Sequence, residues 1–124
     1  MAQASDVAKL AFSFLPPVTE KLTRGNFGMW HAQVSNTLKG ARLAKHIRVG
    51  AAPPDAFVAP NTPTDADGKK AAPVPNPEYE EWIANDSQVL SYLFSSLSKE
   101  IFSQVSSATS AAALWAAIQE LHAS

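Results

Sequence analysis

From Asn26 onward the apolar positions fall at helical intervals. Phe27, Trp30, Val34 and Leu38 are spaced by three and four, so they share one stripe. Asn26 is placed to cap this helix, and Gly40 to end it, as glycine does where the chain turns left-handed. Residues 41–48 carry Leu43 and Ile47 at i, i+4, which predicts a second, short amphipathic helix. The strongest helix start is Asn76-Pro77-Glu78: a capping side chain, a proline where no N–H is needed, and acids near the positive end of the helix dipole. A long stripe follows, made of Tyr79, Trp82, Ile83, Asp86, Val89, Leu90, Leu93, Phe94 and Leu97. Ser98 can cap a further short helix bearing Ile101, Phe102 and Val105. The last helix runs over about 110–122, capped by Thr109 or Ser110, with Leu114, Trp115, Ile118 and Leu121 on its buried face.

The regions outside these stripes differ in kind. Residues 1–25 form an N-terminal arm in which Leu10, Phe12 and Phe14 alternate with other residues until Pro16-Pro17 stops any regular element. Residues 51–75 hold six of the nine prolines, together with Asp65-Ala66-Asp67-Gly68-Lys69-Lys70. They predict a long loop without regular structure, exposed or linking the helical pieces 26–50 and 76–124, with Phe57 and Val58 among its few large apolar residues. With no convincing alternating strand pair, the expected fold is all-α: a small bundle of about five helices, the loop lying between the second and third. Its expected core is Phe27, Trp30, Val34, Leu38, Trp82, Leu90, Leu93, Leu97, Leu114, Trp115 and Ile118. Each tryptophan would bury about 150–250 Å², worth roughly 4–6 kcal/mol before entropy.

Composition narrows the chemistry. The 124 residues are 46% apolar and 17% charged, which suits one modest domain, either with a generous core or with some apolar surface reserved for a partner. Absence of cysteine excludes disulfides, cysteine-based zinc fingers and thiol catalysis. The chain shows neither a leader pattern at its start nor an apolar run of membrane-spanning length, so the expected location is the cytoplasm and no membrane contact is expected.

Charge is divided along the chain. Residues 1–50 carry seven basic and two acidic side chains, a net of +5; residues 51–124 carry three and nine, a net of −6. Either the halves neutralise within one molecule or copies meet positive face on negative face. Lys39, Arg42, Lys45, His46 and Arg48 form a basic cluster. It is either a solvated face, a contact for the acidic half, or a set of phosphate contacts for RNA.

Asp86 interrupts an apolar stripe. It needs a partner, which could be an Arg or Lys, a Ser or Thr hydroxyl, or a free helix N-terminus. His31, His46 and His122 lack metal-ligand spacing and are expected at the surface or its edge. No phosphate loop, nucleophile elbow or zinc-protease motif is present, so catalysis, cofactors, metals and a small-molecule substrate are not expected.

Several segments together resemble the N-terminal, capsid-type region of Gag from plant copia-type LTR retrotransposons. Leu22-Thr-Arg-Gly-Asn26-Phe27-Gly-Met-Trp30 is similar to that family's L-x-x-x-N-[FY]-x-x-W opening. Trp82 with Asp86 is similar to its W-x-x-x-D helix. Leu93-Phe-Ser-Ser-Leu-Ser98 with Ile101 and Val105, then 111–118 around Leu114-Trp115, follow in the same order. The likeness covers about 18–50 and 76–124. It implies an all-helical structural domain that associates with itself into particles around element RNA. The family's chains continue with further capsid helices, and many end in a zinc knuckle. This cysteine-free chain therefore reads as the front of Gag, a fragment or a relic. The alternative expectation is a domesticated Gag-derived module that holds a peptide or partner protein without forming shells. Self-contact would fall on Leu10, Phe12 and Phe14, and RNA or acidic-partner contact on Lys39, Arg42, Lys45 and Arg48.

Overall fold

The computed structural model describes residues 15–62 and 64–123. Among them the fold is mostly helical. It has four α-helices: α1 (Phe27–Gly40), α2 (Pro77–Ser95), α3 (Lys99–Val105) and α4 (Ala111–Ala123). There is also a 3-10 turn at Ala44–Ile47 and a two-stranded antiparallel sheet, β1 (Phe57–Val58) with β2 (Val74–Pro75). The expectation of an all-α bundle with about five helices is corrected on both counts.

The first correction has a local cause. The chain leaves α1 through Arg42, whose φ is +63°. Arg42 N donates to Lys39 O (3.1 Å) and Leu43 N to Leu38 O (2.8 Å). This is a Schellman cap, with the buried pair Leu38 and Leu43 as its apolar clasp. The left-handed residue is thus Arg42 rather than Gly40, and the turn leaves only four residues of 3-10 helix where a second α-helix was expected.

The second correction lies in the proline-rich segment. Asn76 caps α2 by accepting from Glu78 N (3.1 Å). The same residue holds the far side of the loop: its Nδ2 donates to Asp55 O (2.7 Å) and its backbone N to Ala56 O (2.9 Å). That clamp aligns Phe57 with Pro75 and Val58 with Val74. Further out, Thr64 pairs with Lys70. The tip turns through Gly68 at φ +79°, with Asp65 Oδ1 accepting from Asp67 N and Lys69 N. The expected structureless loop is therefore a narrow hairpin-like arm.

The core gathers where the helices cross. Trp30, Val34, Leu38, Val89, Leu93, Ile101, Leu114 and Ile118 are fully buried, with Leu43, Leu97, Val105 and Trp115 almost so. Leu22, from the segment before α1, is buried in the same cluster. Its N donates to Ser96 O (2.8 Å) and its O accepts from Ser98 N (3.0 Å), so this extended residue satisfies the turn between α2 and α3. Thr19 and Gln33 exchange two hydrogen bonds (2.9 and 2.8 Å), holding the same segment on α1. Of the expected arm 1–25, the described part lies on the domain, with Leu15 and Val18 packed against the core. Asn26 stands at the N-cap position but turns its side chain backward. It accepts from Thr23 N and donates to Lys21 O.

Candidate interaction surface

The three tryptophans occupy two different environments. Trp30 is 0% exposed, and its indole N–H donates to Ser96 Oγ (3.1 Å), whose hydroxyl donates to Leu93 O (2.6 Å). Trp115 stacks on it with ring centres 5.5 Å apart. Phe27, half-buried, lies against Trp30 (6.2 Å), His31 (5.4 Å) and His122 (4.6 Å). His122 fastens the end of α4, its two ring nitrogens facing Ile118 O (2.9 Å) and Thr23 O (3.1 Å). Trp82 lies apart from this cluster. It is half-buried, on the first turns of α2, with its ring 4.8 Å from His46. Leu90 is also half-buried and packs on the core from its edge.

Asp86 is buried and doubly partnered. Its Oδ1 accepts from His46 Nδ1 (3.0 Å) and its Oδ2 from Ala111 N (3.3 Å), the first residue of α4. A carboxylate only accepts, so Nδ1 carries the ring hydrogen. The free N–H at the start of α4 is one of the partners open from sequence; the histidine is not. His46 is 0% exposed, which corrects the expectation of a surface histidine. Three elements meet in this network: the 3-10 turn, α2 and α4. One polar link thereby orders three backbones, a structural use of charge. A lone histidine in a basic run gave no signal for it.

The basic residues Lys39, Arg42, Lys45 and Arg48 are all exposed. Among the described residues none is within salt-bridge distance of an acid. The acids Glu78, Glu80 and Glu81 on the first turns of α2 are likewise exposed and without an ion pair. The two charged halves thus do not neutralise each other through these residues. Leu10, Phe12 and Phe14, expected as self-contact residues, lie outside the described residues.

A cleft of about 390 Å³ opens between α2 and the 3-10 turn, lined by Lys45, Pro54, Glu78, Glu81, Trp82 and Asn85. Glu78, Glu81, Trp82 and Asn85 share one stripe of α2 at i, i+3, i+4 and i+7. The half-buried Trp82 ring is its one aromatic wall. Exposed apolar side chains elsewhere are Met29, Val49, Phe57 (61% exposed), Val58, Val74, Ile83 and Phe102. Phe57 and Val58 are not among the described residues packed against the core. Among the described residues no group of three or more His, Asp or Glu side chains is placed to hold a metal ion. No described helix is long and apolar enough to cross a membrane.

Such a molecule is a small, mostly helical domain whose described polar network serves packing and whose outer faces carry unpaired charge and scattered apolar side chains. Comparison with known proteins supplies its kinship. Over 103 residues, 83% of this chain, it is 31% identical to the retrovirus-related Pol polyprotein from transposon RE1 of Arabidopsis thaliana. Over the same length it is 30% identical to the corresponding polyprotein from transposon RE2 of that plant. The match spans 6% of each relative's length. The chain thus corresponds to a short region of retrotransposon polyproteins. No protein-family model matches the chain, and no solved structure does.

Proposed function

We propose that this chain is a Gag-type structural domain of a copia-type retrotransposon, whose work is to associate with copies of itself in a capsid-type assembly rather than to catalyse a reaction. The similarity of 83% of its length to a short region of retrotransposon polyproteins supports this reading. So does the order of its helical motifs, from Asn26-Phe27 with Trp30, through Trp82 and Asp86, to Leu114-Trp115. A shell suits such a surface, because each subunit needs only modest contacts when several act together. Lys39, Arg42 and Arg48 are the proposed phosphate contacts for RNA, a sequence-independent and salt-sensitive attraction.

Size-exclusion chromatography with light scattering, run across protein concentration with and without RNA, tests the proposal. Mass that rises with concentration, and rises further with RNA at about 50 mM salt, is the expected result. A chain that stays monomeric at high concentration while retaining one non-self protein would replace it with a Gag-derived binding module.

A further inference from the structure

We infer that the cleft around Trp82 is the centre of a two-fold contact between two copies of this chain. The inference rests on the self-associating function proposed above and names the surface that carries it. The cleft rim holds both signs of charge side by side: Lys45 on the 3-10 turn, Glu78 and Glu81 on α2. All three are exposed, and none has an opposite charge within salt-bridge distance among the described residues.

A rim of this kind is complementary to itself. In a two-fold contact the same patch meets its own copy, so residue i touches j and j touches i. Lys45 of each copy then faces Glu78 and Glu81 of the other, and each pair forms twice. The centre of the patch fits the same role. Trp82 is held from behind by the His46 ring at 4.8 Å and keeps part of its indole toward the cleft. A rigid, partly exposed aromatic ringed by polar groups is the usual make-up of an interface hot spot. His46 cannot turn away, because its Nδ1 is fixed to Asp86. The anchor is thus preorganised by the buried network, which lowers the cost of association. A polyanion is the less suitable occupant, since Glu78 and Glu81 would face its phosphates.

Two charge-reversed chains test this, each compared with wild type by analytical ultracentrifugation and checked for folding by circular dichroism. One is Lys45→Glu; the other combines Glu78→Lys with Glu81→Lys. Each alone places like charges across both symmetry-related contacts and should weaken self-association about tenfold or more. Mixed in equal amounts, they restore opposite charges at both contacts, and association should return as a mixed dimer. Wild type that associates while neither variant changes it overturns the inference and leaves the proposed function standing. So does a loss that mixing fails to restore. A wild type that stays monomeric overturns both. If nuclease abolishes association and only Lys45→Glu matters, the cleft rim binds nucleic acid and the two-fold contact is overturned.

Discussion

Trp30 and Trp82 begin from the same pattern, an indole on the apolar stripe of a capped helix, and end in opposite surroundings. Trp30 is enclosed by Trp115, Phe27 and the turn that Leu22 braces, with its N–H spent on Ser96. Trp82 rests on one histidine and opens onto a charged cleft. The difference lies in what each helix packs against. α1 crosses the centre of the domain. Among the described residues, the cleft side of the first turns of α2 is met by the 3-10 turn through Lys45 and by Pro54, and Trp82 stays half-buried there. An aromatic stripe shows which face of a helix is apolar, not how much of it the rest of the chain covers. Burial is concentrated at the Trp30 end, and the contact surface proposed above lies at the Trp82 end.

The largest effect is expected at the dry end. Trp30→Ala removes a fully buried indole and the hydrogen bond that Ser96 Oγ accepts from it, so it should cost about 3–5 kcal/mol, enough to unfold a domain of this size; thermal and urea melts check it. Asp86→Ala comes next, on the order of 3 kcal/mol, because it leaves His46 Nδ1 and Ala111 N unpaired in the interior. Asp86→Asn should recover part of that loss, since its amide oxygen can still accept one of the two bonds. If Asp86→Ala melted like wild type, the two ends would be mechanically independent.

Smaller effects refine the contrast. Arg42→Gly should stabilise the chain by about 0.5–1 kcal/mol. Glycine takes the left-handed conformation at no steric cost and leaves the cap's backbone hydrogen bonds in place. A lowered melting temperature would mean that the Arg42 side chain contributes more than its backbone strain costs. Tyr92 gives the smallest effect. Burial raises its hydroxyl above the ordinary value of 10.0, with a lesser lowering from Thr37. A raised value in the folded state means the associated stability is intact below about pH 10. It is lost as pH climbs through the folded value, because the unfolded chain ionises first. Urea midpoints should therefore fall in strong alkali, and less steeply in Tyr92→Phe.

What could be read from sequence followed the reach of the interactions involved. Asn76-Pro77 sits within one turn of the helix it starts, so its capping role is local and legible. Ser110 was one of two legible caps, and it is the one that accepts from Ala113 N. Leu22 gave no signal as core, since a single extended residue braced against Ser96 and Ser98 has no periodicity. The place of His46 depends on Asp86, forty residues away, and on the Arg42 turn that aims the segment. The hairpin carried one short-range cue, Asp67-Gly68, which favours a tight reversal. The prolines around it hid that cue, and the clamp that closes the arm is a contact between Asn76 and Asp55. The cleft could not be read at all, because it is defined by what fails to cover Trp82.

The division between a stabilising end and an associating end is tested most directly by sedimentation equilibrium of Trp82→Ala beside wild type, with a thermal melt on the same samples. The expected result is a folded chain that melts within a few degrees of wild type and stays monomeric at concentrations where wild type associates. A Trp82→Ala chain that unfolds as Trp30→Ala does, or one that folds and associates as strongly as wild type, would contradict it.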